Sequence, residues 1–293
     1  MRLRYDRFLF NLLGYSFVGL FAVLCLIPFY MVIIGSLTSQ ESIVSDGYRL
    51  WPGQFSGAAY QLLGESAGAL LRAYGVTIIV TVVGTAAGLF ITAMTAYVLN
   101  AKDFKYRNYF AFYFYFTTLF SGGLVPWYIM IVKYLHLKNN LLALIVPLLL
   151  NVFYILIMRS FMSAIPEAIK ESARIDGAGD FTIFVRLMLP LLKSALATIG
   201  LFIALNYWND WFNTMLFIDR ENLYNLQYYL FQILSKLEFV NAAMMQAGIA
   251  MPTMPSDAYK MAMTLVATGP IVFLYPFVQR YFVQGVTIGA VKG

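Results

Sequence analysis

Long apolar runs alternate with short polar segments along this 293-residue chain. Six runs have the length and composition of membrane-spanning helices: 12–36, 72–99, 108–132, 141–162, 194–218 and 260–283. A helix crosses the hydrocarbon core of a bilayer with about 20 apolar residues. The runs are continuous rather than alternating between polar and apolar positions, which favours helices over strands. The pattern predicts an all-α integral membrane protein with six transmembrane helices.

The composition supports membrane insertion and argues against nucleic acid as a partner. Apolar residues make up 61% of the chain and charged residues only 12%, against about 25% charged in soluble domains. The formal charge is +6, but Lys and Arg stand in short segments beside apolar runs, a pattern that sets orientation in a membrane. Lipid is therefore the expected surrounding. Cys25 and His136 are the only cysteine and histidine, so a Cys/His metal site has no support.

The placement of positive charge predicts which segments face the cytoplasm. Most of the 20 Lys and Arg residues fall on one side when both termini are cytoplasmic, which fits the positive-inside rule. The first apolar run is longer than the core of a cleaved signal peptide, about 7–15 residues, so it is interpreted as a retained span. The short links 100–107 and 133–140 are interpreted as plain turns. Two long outer connections, 37–71 and 219–259, are expected to be functional.

The polar segment between the fourth and fifth runs predicts two short helices on the cytoplasmic side. Ser163 is a candidate N-cap and Pro166 a first-turn residue of the first helix. Gly177 suits the left-handed position that ends it. Asp180 is the candidate cap of the second helix, and Pro190 marks the bend into the fifth run.

Two faces of the first predicted helix differ in chemistry. The small or apolar residues that share one face by helical spacing are Ala168, Ser172 and Ile175. The charged residues that share the adjacent face are Glu167, Glu171 and Arg174. Such a helix suits close contact with a partner. The alternative is an amphipathic loop that lies at the membrane interface.

The spacing in this segment is more specific than its amphipathicity. It reads Glu171-Ser172-Ala173, three residues, Gly177, nine residues, then Leu187-Met188-Leu189-Pro190. This resembles the Glu-Ala-Ala, Gly, Ile-x-Leu-Pro motif of permease subunits in binding-protein-dependent ABC importers, with the full spacing. Ser172 stands where the motif has Ala, and Leu187 where it has Ile.

The resemblance implies a type I importer permease fold in the bacterial inner membrane, with a cytoplasmic coupling helix that docks on an ATPase subunit. The positions implied for this coupling are Glu167, Glu171, Ser172, Ala173, Arg174, Asp176 and Gly177. The C-terminal residues implied to lie near the same ATPase are Val291, Lys292 and Gly293. The chain lacks the phosphate-loop motif, which needs Gly-x-x-x-x-Gly-Lys-[Ser/Thr]. No catalysis is expected of it, and ATP and Mg²⁺ are expected on two separate ATPase subunits rather than on this chain.

Two further stretches resemble the carbohydrate-importing branch, similar to the second permease of the maltose system. They are NYWNDWF, 206–212, and the C-terminal GVTIGAVKG, 285–293. The first resembles permeases for complex or acidic oligosaccharides, alginate included. The candidate residues of the translocation path are Asn206, Tyr207, Trp208, Asn209, Asp210, Trp211 and Asn213. Aromatic faces and amides suit sugars, but an interfacial aromatic belt with Asn-mediated helix packing explains the same residues.

The outer loop before the last run is the candidate contact with a solute-binding protein. Its proline-stiffened residues are Met251, Pro252, Thr253, Met254 and Pro255. In the maltose-type relative a loop at this position reaches into the sugar-binding protein. A cover packed on the permease itself is the alternative.

The resemblance also implies the organisation and the other partners. Residues 1–71 form an N-terminal segment with the first span and outer loop, 72–283 the permease core, and 284–293 the tail. A second, similar permease subunit is expected as heterodimer partner. The rival class is a stand-alone secondary transporter or membrane enzyme, which should show mid-span ionisable groups, repeated halves or a catalytic cluster. Gly84 and Gly88 form a small-xxx-small pair for which ordinary helix packing is favoured.

Overall fold

The computed structural model describes residues 2–247 and 256–272, and these are mostly helical, with no β-strand among them. The first four helices are α1 (Arg2–Ser36), α2 (Gln40–Asp46), α3 (Ala58–Glu65) and α4 (Ala67–Asn100). The next four are α5 (Arg107–Leu119), α6 (Leu124–Ile129), α7 (Leu142–Ile145) and α8 (Val152–Ser163). The polar segment after the fourth run and the fifth run itself give α9 (Glu167–Ile175), α10 (Asp180–Ile183), α11 (Leu189–Leu191), α12 (Lys193–Asn209) and α13 (Phe212–Phe217). They are followed by α14 (Leu226–Gln246) and α15 (256–272).

The described residues fall into two compact units. One contains 2–67 with the described part of 232–270, and the other contains 68–231 with 271–272. In the first unit, the long outer connection forms α2 and α3 rather than an open loop. Ser39 caps α2 by accepting a hydrogen bond from the N–H of Ser42, and the hydroxyls of Ser36 and Tyr60 lie 2.8 Å apart. These contacts tie the connection to the end of α1.

The core of the second unit forms around α4, because small residues on this helix let other elements approach closely. A Cβ added at Gly84 would lie 2.4 Å from the ring of Tyr207, and one at Gly88 would lie 3.0 Å from the carbonyl of Leu149. Both distances are shorter than comfortable packing allows. The pair Gly84 and Gly88 thus serves helix packing, as predicted.

Two helices are long and apolar enough to cross a membrane alone, namely 7–36 and 67–100. Three bent helix pairs pass the same test when each is taken as one span: 107–134 with a bend of 116°, 142–163 with 52°, and 180–209 with 86°. The sixth predicted span, 260–283, lies partly outside the described residues. The described part therefore contains up to five spans by length and composition, and the count of six stays a prediction.

The bends occur where the backbone departs from regular helix. The first lies at residues 120–123, where Gly123 has a φ of 87°. The second follows a 3₁₀ turn that contains Pro147. The third lies at Leu192, two residues after Pro190, so the predicted bend into the fifth run is close to the observed one.

Candidate functional sites: helix α9 and the fifth apolar run

Helix α9 begins four residues after its predicted N-cap. Ser163 is the last residue of α8, and its hydroxyl donates to the carbonyl of Ser160 at 2.8 Å. The prediction that Ser163 caps α9 is therefore wrong. Pro166 occupies the N-cap position with φ −57° and ψ 132°. Its ring fixes φ near this value, and Glu167 then supplies a negative charge in the first turn, where the helix dipole favours it.

The end of α9 is a Schellman motif. The N–H of Gly177 donates to the carbonyl of Arg174 at 3.0 Å, and the N–H of Ala178 donates to that of Ala173 at 2.9 Å. Gly177 has a φ of 82°, a conformation that side chains with a Cβ disfavour. The predicted helix end at this glycine is confirmed.

The residues implied for coupling do not all face the same way. Ala173 is buried in the core of its unit, where it anchors α9 against the spans. Five others are exposed: Glu171, Ser172, Arg174, Asp176 and Gly177. Ile175 is 87% exposed, so α9 also presents a large apolar side chain. The exposed surface of α9 therefore combines small residues, one large apolar side chain and acidic side chains.

Ion pairs join α9 to the link between α4 and α5. Lys102 pairs with Glu167, and Arg174 pairs with both Asp103 and Asp180, the latter at 3.0 Å. We call these five residues the ion-pair cluster. The link 100–107 is thus more than the plain turn predicted from sequence. Asp180 is not the predicted helix cap either, because Gly179 holds that position and the Asp180 carboxylate faces Arg174.

The electrostatics of the cluster follow from these contacts. The hydrogen bond to Glu167 raises the pKa of the Lys102 ammonium, and the hydrogen bonds to Asp103 and Asp180 raise the pKa of the Arg174 guanidinium. Both cations therefore stay charged throughout the physiological pH range. The side chains are largely exposed, so solvent and salt screen each pair. The cluster therefore positions α9 through several weak ion pairs together rather than through one strong pair.

The other short link, 133–140, also holds a distant segment. The side-chain oxygen of Asn139 accepts from the N–H of Asp219 at 2.7 Å, and Lys138 pairs with Asp219 at 2.9 Å. The hydrogen bond from Lys138 lowers the pKa of the Asp219 carboxyl. Both Asn139 and His136 have positive φ. This link too is more specific than the predicted plain turn.

The two aromatic candidate path residues on α12 are buried in the core. Tyr207 is 1% exposed, and its hydroxyl donates to the carbonyl of Ile145 at 2.8 Å. Trp208 is buried as well, with its ring centroid 6.4 Å from that of Tyr74. Within this chain these two aromatics pack helices together.

Asn206, in contrast, is exposed on the surface of α12. Its amide donates to the hydroxyl of Tyr154 on α8 at 3.0 Å, and the Tyr154 ring lies parallel to that of Phe202 with centroids 6.3 Å apart. Sequence reasoning missed Tyr154. Phe202 and Asn206 share one helix face by their four-residue spacing. That spacing was the sequence signal that could have grouped these two residues, but it does not point to Tyr154.

The other candidates stand at the junction between α12 and α13. The Asp210 carboxylate accepts from the N–H of Asn213, and the Asp210 carbonyl accepts from the amide of Asn225. Asn213 is buried, and Trp211 stacks on Phe231 at 4.9 Å. These groups hold the broken helix and its neighbour in place.

Asn209 is exposed, with its carbonyl oxygen 3.5 Å from the amide nitrogen of Gln227. The structure therefore separates the predicted path residues into exposed amides, Asn206 and Asn209, and groups engaged in packing or capping.

The remaining predicted sites lie outside the described residues. The candidate binding-protein contact is Met251, Pro252, Thr253, Met254 and Pro255, and the candidate tail is Val291, Lys292 and Gly293. Within the described ranges, no group of three His, Cys, Asp or Glu side chains could hold a metal ion.

The described residues thus combine long apolar helices, three bent helix pairs and one short exposed helix, α9. No model of a known protein family matches the chain. The polygalacturonan/rhamnogalacturonan transport system permease protein YtcP of Bacillus subtilis (strain 168) is 38% identical over 97% of this chain and 99% of that protein. Protein LplC of the same organism is 37% identical over 97% and 95%.

Structure comparison gives the same answer. A chain in the crystal structure of a bacterial ABC transporter involved in the import of the acidic polysaccharide alginate matches with a TM-score of 0.79. The two are 29% identical, and the match covers 95% of this chain and 98% of that one. The chain belongs to the permease subunits of carbohydrate ABC importers. These subunits are non-catalytic, and a separate ATPase hydrolyses ATP. The secondary-transporter alternative is not favoured.

Proposed function

We propose that this chain is one of two permease subunits in an ATP-driven importer of an acidic oligosaccharide. The relatives support the substrate class, since one is named for polygalacturonan and rhamnogalacturonan and another belongs to an importer of the acidic polysaccharide alginate. The other subunits are a second, similar permease, two ATPases that bind ATP and Mg²⁺, and a solute-binding protein. Six spans place both termini in the cytoplasm.

The observation that carries the proposal is the arrangement of α9. Its buried side, at Ala173, joins the core, and its exposed side presents Glu171, Ser172 and the turn at Gly177. The ion-pair cluster fixes the helix to the link after α4. A rigidly held helix with one free face transmits a push from a docked ATPase into the spans. In this mechanism ATP binding closes the ATPase dimer, draws the coupling helices of the two permeases together and opens the path outward.

The other assignments complete the proposal. Residues 72–283 are the permease core, 251–255 contact the binding protein, and 291–293 lie near the ATPase. The exposed amide of Asn206, held by Tyr154, lines the path. A polar group at the depth of a span avoids lipid, so this exposed pair supports a water-filled route beside α12.

The coupling role is tested at Gly177. Arginine at this position is expected to prevent co-purification of the ATPase subunits with the tagged permease, because a large side chain at positive φ distorts the turn and covers the free face. An added Cβ meets no atom within 4 Å, so the spans should still fold.

Asparagine at the same position is the matched control. It tolerates the left-handed conformation, and Gly177→Asn is expected to keep the ATPase. Size-exclusion elution of each permease variant reports its fold. Retention of the ATPase by a well-folded Gly177→Arg variant would contradict the coupling role.

Removal of the Asn206 amide tests the path. Asn206→Leu is expected to raise KM for uptake of galacturonan oligosaccharides about three- to tenfold, the equivalent of one lost hydrogen bond. Tyr154→Phe, which leaves the amide without its anchor, should have a smaller effect in the same direction. ATPase co-purification serves as the assembly control for both variants. Unchanged KM in Asn206→Leu would place this amide outside the path.

A further inference from the structure

The third span is interrupted near its middle. Helix α5 ends at Leu119, α6 begins at Leu124, and the two halves of the span bend by 116°. The four residues between them, 120–123, are non-helical and all exposed. They lie at the centre of the apolar run 108–132, so the interruption falls at membrane depth.

The backbone at this interruption is incompatible with a lipid environment. Among the described residues, neither main-chain polar group of Gly122 has a hydrogen-bond partner, and the hydroxyl oxygen of Ser121 accepts only from the N–H of Gly123, at 3.2 Å. Unpaired peptide groups cost several kcal/mol in hydrocarbon. Non-helical backbone at this depth is tolerated where it lines a watery cavity or is covered by protein.

A cavity of about 530 Å³ opens at this interruption. The residues that line it include Ser121, Gly122, Trp127 and Met130. This volume lies in the range of small-molecule sites, about 300–1,000 Å³. Trp127 is 39% exposed, which leaves part of its indole free to contact a ligand.

The chemistry of the walls fits a sugar ring. An indole face covers the apolar side of a pyranose, while a hydroxyl and unpaired peptide groups meet its hydroxyls. No charged side chain lines the cavity, so the hydroxyls of the sugar rather than its carboxylate are recognised here. We propose that the cavity at the interruption of the third span is a sugar-binding subsite, in which Trp127 stacks on one pyranose unit of the transported oligosaccharide. This subsite rests on the proposed import function.

The glycine at position 122 offers a direct test of the cavity. An added Cβ there meets nothing within 4 Å, so a leucine side chain fills open space without a clash. Gly122→Leu and Trp127→Leu are each expected to raise KM for uptake of galacturonan oligosaccharides about three- to tenfold. Trp127→Phe, which keeps an aromatic face, should stay within about threefold of wild type.

Binding to the purified full-length chain in nanodiscs separates this subsite from the import function. Galacturonan oligosaccharides should shift the tryptophan fluorescence of the wild type, and the shift should be lost in Trp127→Phe and in Gly122→Leu. The fluorescence shift can be measured even if no ATPase co-purifies with the wild-type chain. That outcome would contradict the proposed import function but not the subsite.

Two results would overturn the subsite. One is unchanged uptake and fluorescence in both Gly122→Leu and Trp127→Leu. The other is loss of the second permease from both purified variants, which would make the interruption a contact surface between permeases. Gly75→Leu on α4 is the control for an added leucine in a span, since a Cβ at Gly75 also meets nothing within 4 Å.

Discussion

Glutamate in place of Arg174 is expected to lower coupled uptake strongly while the chain still inserts and folds. Arg174 bridges Asp103 and Asp180, so a glutamate there brings three carboxylates together. Solvent screens each pair at these exposed positions, but three like charges repel one another, and the repulsion is relieved when α9 moves away from the link after α4. Because the proposed mechanism needs α9 and the spans to move together, sugar uptake per ATP hydrolysed should fall at least about tenfold in proteoliposomes of the complete importer.

The matched control for Arg174 is Arg186. It is exposed in the segment that follows α9 and forms no ion pair among the described residues. Arg186→Glu makes the same change in net charge and should leave the coupling ratio near that of wild type. Adding Asp103→Arg to Arg174→Glu should restore part of the ratio by rebuilding one pair. Equal losses in the two single variants, or no rescue, would mean that charge alone rather than the cluster controls coupling.

Local sequence patterns predicted the features that depend only on residues close together in the sequence, such as the length of a span or the end of a helix. Apolar length placed the second span at 72–99, and the observed α4 covers 67–100. The turn at Gly177 was equally accessible, because a glycine after an amphipathic helix has one common structural use. In both cases the signal and the structure occupy the same short stretch of chain.

Long-range pairing explains what the patterns missed. Asp103 and Arg174 are 71 residues apart, and nothing local marks them as partners. The interruption of the third span is local, but hydropathy did not reveal it, because hydropathy over 108–132 measures apolar content and not backbone geometry. The sequence Ser121-Gly122-Gly123 inside that run was the available signal, because two adjacent glycines weaken a helix.

In the fifth span, the position of a residue on its helix face predicts its surroundings better than its residue type does. Asn206 and Tyr207 are neighbours in sequence and were assigned one role. Tyr207 shares its face with Ile199 and Ile203, all buried, whereas Asn206 shares its face with the partly exposed Phe202. Four-residue spacing thus separates a packing residue from a candidate path residue. The helix-packing alternative therefore describes Tyr207, and the path role of Asn206 stays a proposal.

Leucine at Gly84 is expected to cause the largest loss of stability among single substitutions in the spans. A Cβ at this position would lie 2.4–2.7 Å from the ring of Tyr207, and the ring cannot withdraw without breaking its hydrogen bond to the carbonyl of Ile145. Overpacking costs about 1–3 kcal/mol for a few extra methylenes. A whole leucine against a fixed aromatic ring should reach at least the upper end of that range and lower the apparent Tm in detergent.

The same helix supplies the control for this substitution. Gly75 also lies on α4 but has no atom within 4 Å of an added Cβ, so Gly75→Leu makes an identical chemical change without a clash and should leave Tm near that of wild type. Adding Tyr207→Ala to Gly84→Leu removes the opposing ring and should recover part of the loss, because the two positions are in direct contact. Similar Tm values for Gly84→Leu and Gly75→Leu would show that α4 and α12 do not pack through this glycine, and that Tyr207 has another use in the membrane.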